Sequence, residues 1–197
     1  MNPLAYLVGP VAVKYGGDPS QSRTVDLRPY LREDQKVIRS ITGQLRLDYG
    51  RGVCTLDAPK AQGATGFLKK GGTIHCTDVE IQSGNDYATV LVVAMDDKPL
   101  KSSGKVLVQV GTTERPLGWK TRPAQVNGHA GEEVVSFGRA PWMIVNGDVT
   151  LVLKNTEISQ ARVLDVNGMP VKELPLTTSG GRQTLKFPAD ALYVVLQ

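Results

Sequence analysis

Six acidic side chains stand where chemistry could use them: Glu80, Asp96, Asp97, Glu132, Glu133 and Asp148 fall mostly at turns or strand ends. Cleaving a glycosidic bond takes two carboxyl groups ~5–9.5 Å apart on either side of it. Nothing in the spacing of the six selects a pair, and turn carboxylates are ordinarily solvated. Metal chemistry has one lead, "HCTD", with His75, Cys76 and Asp78. Successive side chains of a strand point to opposite faces, so His75 and Cys76 would not close on one ion. The other histidine, His129, lies far off in an irregular region. A structural calcium ion would find oxygen ligands in the turns "QSGND" and "MDDK", although solvated turn carboxylates are the plainer reading. No other cofactor is implied. The sequence holds no G-x-S-x-G, no G-x-x-x-x-G-K-[ST] and no H-E-x-x-H, so the familiar nucleophile, phosphate and zinc motifs are missing.

Aromatic rings suit ligand binding better than these carboxylates suit catalysis. A flat exposed ring offers contact area with little rotamer entropy to lose, and polar neighbours then fix orientation. Trp119 is followed by "KTRP", polar and turn-forming, whereas Trp142 in "APWMIV" precedes Met143, Ile144 and Val145 and reads as core. The ligand platform the sequence offers is therefore Trp119 helped by Tyr49. Arg51, Arg115 and Lys120 would donate from its rim to sugar hydroxyls or uronate carboxylates.

The elements that must position these residues are strands. Period-two alternation and β-branched runs dominate, and they predict strands over 44–48, 52–57, 73–82, 88–95, 105–111, 149–154, 161–166, 183–187 and 193–196. Asn-Gly and Gly-Gly pairs mark the turns between them. The strands recur every 8–15 residues or so, the rhythm of an all-β antiparallel β-sandwich, jelly-roll or immunoglobulin-like, of about nine to twelve strands with little helix. In "GQLRLDYGRGVCTLDAP" Leu45 and Leu47 face one way while Gln44, Arg46 and Asp48 face the other, which predicts a hairpin lying with its leucines on a core. The adjoining "KAQGATGFL" has so little side-chain bulk at Ala61, Gly63, Ala64 and Gly66 that another backbone can approach closely. It should be squeezed beneath that hairpin, with Phe67 and Leu68 as its anchors in the core. Residues 36–197 make the sandwich domain, and 1–35 a linker-like segment with room for a short helix in "DPSQSRTVDLRPYLREDQKV", where Pro29 interrupts. Residues 114–147 hold both tryptophans and three prolines and read as a long loop or a junction between two lobes.

Composition narrows the partners. The net charge is +4, but its longest basic cluster is Lys69–Lys70, too short for the concentrated stripe that nucleic acid requires. No segment reaches the ~18 apolar residues of a membrane span. The first residues lack a basic n-region and are broken by Pro3, Gly9 and Pro10, so no signal peptide is read in this chain. Cys54 and Cys76 both sit in strand-like runs, where a free thiol behaves as a small apolar residue. A bridge between them is open to an extracellular protein.

Taken together, "ITGQLRLDYGRGVCTLDAPKAQGATGFL", "YATVLVVAMDDKPLKSSGKVLVQVGTTERPLGW" and "ARVLDVNGMPVKELPL…TLKFPADALYVVLQ" resemble the C-terminal β-sandwich region of bacterial multidomain glycoside hydrolases, downstream of a (β/α)-barrel catalytic domain. There a strand "TGQLRWD" pairs with "VTVDTPRTQG", a "LDGKPLAESRRLLL"-like hairpin follows, and the last strand ends P-x-D-x-x-Y-V-V-L. Pro188, Asp190, Tyr193, Val194, Val195 and Leu196 match that ending. The resemblance spans most of residues 36–197. It implies a non-catalytic accessory module that binds polysaccharide or buttresses a covalently linked catalytic barrel, in a parent protein that is extracellular or periplasmic. The barrel and its two carboxylates are absent, so no catalytic residue carries over. Leu47 stands where the related strands often have Trp, and "NPLAYLVGPVAVKYGGDP" reads as the chain leaving such a barrel. The competing expectation is a compact glycoside-active enzyme that uses loop carboxylates.

Overall fold

The computed structural model describes residues 3–23 and 25–197. Met1 and Asn2, in the linker-like segment, and Thr24, in the stretch with helical character, lie outside the described residues. The alternating runs become strands: β1 (Leu31–Arg32), β2 (Val37–Arg39), β3 (Leu45–Asp48), β4 (Val53–Ala58), β5 (Ala61–Gly66), β6 (Ile74–His75), β7 (Val79–Ser83), β8 (Ala88–Ala94), β9 (Val106–Thr112), β10 (Glu114–Val126), β11 (His129–Ile144), β12 (Val149–Lys154), β13 (Ala161–Leu164), β14 (Pro170–Leu174), β15 (Thr177–Ser179), β16 (Arg182–Lys186) and β17 (Tyr193–Leu196). Strand takes 51% of the chain and helix 7%, the two α-helices being α1 (Ala5–Val8) and α2 (Leu68–Gly71). The stretch with helical character gives only a 3-10 turn at Pro19–Gln21.

The strands form a ten-stranded sheet in the order β1-β2-β3-β4-β5-β8-β9-β17-β13-β14, a five-stranded sheet in the order β15-β16-β12-β7-β6, and a separate ribbon of β10 and β11. The fold is therefore an all-β antiparallel sandwich, with more strands than the rhythm suggested. Part of the excess comes from runs that break. The run over 73–82 splits into β6 and β7 because side chains of the large sheet capture the intervening backbone. Asp57 accepts from Thr77 N at 3.1 Å, and Gln62 Oε1 accepts from Asp78 N at 2.8 Å.

The core lies between the two sheets. Val90, Val92, Val106, Val108, Val194 and Leu196 of the large sheet meet Val79, Ile81, Leu151, Leu153 and Leu185 of the small one. Residues directly opposite in a ladder share a face, so the register fixes which side chains point inward. Val90 pairs with Ala64 and Val110, and Val92 with Gln62 and Val108, all on the core side. Gln62 is tolerated there because its amide exchanges hydrogen bonds with Asp78, at 3.1 and 2.8 Å.

Following the same register along the large sheet reverses one expectation. Asp48 pairs with Val53, and Val53 with Gly66, which pairs with Ala88 of the core. Arg46 and Asp48 therefore face inward, and Leu45, Leu47, Cys54 and Leu56 face outward. Asp48 is only 6% exposed, whereas Leu45 is 45% exposed. The hairpin does have an apolar and a polar face, but the polar one turns toward the small sheet. Burial of an acid at that place is sustained by its partners. Arg51 donates to it from its backbone N at 3.0 Å and from Nε at 2.8 Å, and Arg46 Nη2 stands 3.5 Å away. Burial pushes the Asp48 carboxyl up, but these hydrogen bonds and the two guanidinium charges outweigh it and hold the group below the usual carboxylate range.

The "KAQGATGFL" segment is β5 and the start of α2. A Cβ on Gly63 would lie 2.3 Å from the Val90 carbonyl oxygen, and one on Gly66 (φ +126°) would lie 2.0 Å from that of Gly52. The segment is squeezed, at Gly66 by the opening hairpin's turn and at Gly63 by β8. Leu68 is fully buried as expected, but Phe67 is exposed. The turn at Gly66 sends Leu68 inward and leaves the Phe67 ring outside, over Gly52, whose own Cβ would meet that ring at 2.6 Å.

Candidate functional site: one end of the sandwich and its ribbon

Residues 114–147 are regular, not a loop or a lobe junction. β10 and β11 pair with each other from Glu114↔Ile144 to Val126↔His129, with register shifts after Pro116 and Lys120. A 13-residue strand reaches about 40 Å. Proline is tolerated because each strand of a two-stranded ribbon has an edge whose N–H groups need no partner. The same isolation explains Trp142. Its apolar neighbours suggested core, yet it is 62% exposed, and Met143, Ile144 and Val145 are exposed with it. The run is apolar, but among the described residues no third strand joins the ribbon to cover it.

Of the five predicted platform residues, Arg115, Trp119 and Lys120 lie on β10, and Tyr49 and Arg51 lie in the turn between β3 and β4. Trp119 is half-buried. The Phe137 ring meets it edge-on at 5.8 Å, and the Arg115 guanidinium lies 5.4 Å from its centroid. Arg115 thus occupies ring area that a sugar would need. The most exposed ring of the cluster is Phe137, at 74%.

The pairing chain Val53↔Gly66, Gly66↔Ala88 and Ala88↔Thr112 puts the 49–52 turn, Phe67, Tyr87 and the ribbon root at one end of the large sheet. The two predicted clusters therefore share an end but do not meet. Three strand spacings separate β4 from β9, about 14 Å, and the ribbon carries Trp119 further away. Beside Tyr49 and Arg51 the structure instead places Phe67 and Tyr87, ring centroids 5.5 Å apart and nearly perpendicular, with Lys70 Nζ 5.6 Å from the Phe67 ring. Sequence reasoning missed this pair. The glycine before Phe67 was its only local signal.

Five of the six carboxylates are engaged in the fold, and Glu132 stands exposed on β11. Glu80 is paired with Arg182, whose hydrogen bond holds it below the ordinary carboxylate range. Lys60 reaches Asp97 at 3.2 Å, Arg122 reaches Glu133 at 2.7 Å and Lys186 reaches Asp148 at 2.6 Å. Asp96 accepts from the Lys98 and Gly104 N–H groups of its own turn. In "QSGND", Asn85 ties to residues 146–148 through Asn146 O at 2.8 Å and Asp148 N at 2.7 Å. His75 is exposed, 3.8 Å from Glu80, while Cys76 is buried, and among the described residues no three metal-ligating side chains converge. Both thiols are free and lie on opposite sides of the large sheet, so they do not bridge. Burial, helped by the Asp57 charge, pushes the Cys76 thiol up to about 11, and burial also raises that of Cys54. Among the described residues, no helix is long and apolar enough to cross a membrane.

Compared with known proteins, the chain matches no family model, no curated protein and no solved structure.

Proposed function

We propose that this chain is a non-catalytic accessory module of a bacterial multidomain glycoside hydrolase, working outside the cytoplasm, and that it buttresses a covalently linked catalytic barrel. The observation that carries this reading is the outward face of the large sheet. Leu45, Leu47, Leu56, Leu91, Val93 and Leu107 line it, on the side away from the small sheet. Large apolar side chains in contiguous array on an outer face mark a docking surface. Leu45 is exposed and the other five are half-buried, and the ribbon adds Trp142, Met143 and Ile144, all exposed. A docked barrel would remove both from water at about 25 cal/mol per Å².

The test is a double variant, Leu47→Lys with Leu91→Lys, made in the isolated chain and in the two-domain parent. The isolated chain loses only the few degrees that two partly buried leucines contribute, and the barrel in the parent, itself unaltered, melts several degrees lower. An unchanged parent would remove the docking role. Hydrolysis of a polysaccharide by the isolated chain, abolished by replacing one turn carboxylate, would establish the enzyme reading instead.

A further inference from the structure

We infer that the end of the sandwich around the 49–52 turn is a binding site for the carboxylate groups of a uronate-bearing polysaccharide. The inference rests on the accessory-module reading only for the polymer class; it does not depend on what the outward leucines dock against. A cleft of about 290 Å³ opens between the inward face of β3–β4 and the β6 edge, lined by Arg46, Arg51, Thr55, Thr73 and His75. Its guanidinium groups are under-used. Arg46 stands 3.5 Å from Asp48 but makes no side-chain hydrogen bond within the described chain. Arg51 spends Nε on Asp48 and a long 3.5 Å contact from Nη1 on the Gly71 carbonyl, leaving Nη2 without a partner among the described residues. One carboxylate, already satisfied by the Arg51 backbone and Nε, thus sits between two cations with spare donors. Thr73 Oγ1 accepts from Gln82 at 2.9 Å, so its proton remains to donate.

A planar guanidinium fork matches a carboxylate in two parallel hydrogen bonds. That geometry selects a carboxylate over a neutral sugar. Against Gly52, beside the cleft, the Phe67 ring stands exposed at right angles to Tyr87, and Tyr49 is exposed on the 49–52 turn. Rings of this kind stack on the apolar faces of sugar rings, so the polymer's charge and its carbon skeleton both find partners at one end of the molecule. Lys70, over Phe67 and without a carboxylate partner among the described residues, adds a further positive charge.

The probe is polygalacturonate in native affinity gels, with neutral xylan, fully methyl-esterified pectin and dextran sulfate as the other arms. Polygalacturonate retards the wild type, and neither xylan nor the methyl ester does. Arg46→Gln and Phe67→Ala each weaken binding roughly tenfold, while Trp119→Ala and Lys120→Gln leave it unchanged. No retardation by polygalacturonate overturns the inference, as does retention that survives Arg46→Gln. Equal retention by the methyl ester or by dextran sulfate also overturns it, and those arms hold even if a variant fails to fold. None of these results bears on the double-leucine test, so each reading can fail alone.

Discussion

The outward faces of the two sheets are made of different residues. On the small sheet the register puts His75 opposite Glu80, Glu80 opposite Val152, Thr150 opposite Lys186, and Lys154 opposite Arg182. That is a water-facing surface, laced by the Glu80–Arg182 and Asp148–Lys186 pairs. On the large sheet the same positions hold Leu47 opposite Cys54, Leu56 opposite Gly63, and Val93 opposite Leu107. Both sheets cover one core, so the core does not explain the difference. The chain itself covers this face only at its β2 edge, where Ile38 opposite Leu47 is buried; the rest of a second apolar face calls for a second covering body, which is the physical content of the accessory-module proposal.

Substituting the same residue type on either side sharpens the contrast. Leu151, fully buried between the sheets, should cost about 3–4 kcal/mol when changed to Ala. Leu47→Ala should cost about 1 kcal/mol or less in the isolated chain, since Leu47 is only partly buried there. Equal losses in urea denaturation would mean the outward leucines are core. Next in size is Gly63→Val, whose Cβ would press on the Val90 carbonyl. Overpacking there should cost about 2–3 kcal/mol, and an unchanged denaturation midpoint would show β5 free of β8. Asp48→Asn comes third, at about 1–2 kcal/mol from weakened charge-assisted hydrogen bonds. Its folded pKa is depressed, so its contribution is present above the unfolded value of ~3.9 and is lost as pH falls through the folded one. The variant's deficit should therefore shrink below about pH 4. A deficit constant with pH would assign the loss to packing instead of charge.

Much of the fold was legible in the sequence because alternation is local. The runs over 149–154 and 193–196 became β12 and β17 with the same bounds, and 88–95 and 105–111 differ by a residue or so from β8 and β9. What alternation cannot carry is which face turns inward. Leu45 and Leu47 were placed on a core because apolar faces usually find one, but Arg51, three residues after Asp48, provides for burying the acid instead. The ribbon failed for a related reason. Its prolines and glycines argued against strand only if each strand had two neighbours, and Trp142 argued for core only if something covered it. At the candidate site, Arg51 and Tyr49 were found by residue type, whereas Phe67, Tyr87 and Arg46 join them through pairings across β3, β4, β5 and β8. Those contacts are set by topology, not by neighbours in sequence.

As the accessory module proposed above, the chain would have the outward face of its large sheet covered by the linked barrel, and it carries its own reporter. Cys54 lies on that face between Leu47 and Thr65, half-buried, while Cys76 is sealed in the core with its thiol at about 11. Maleimide labelling followed by peptide mass spectrometry reads each separately. In the isolated native chain, Cys54 should label and Cys76 should not. In the two-domain parent, Cys54 should be protected at least tenfold relative to the isolated chain. Labelling of Cys54 at the same rate in both would contradict the account.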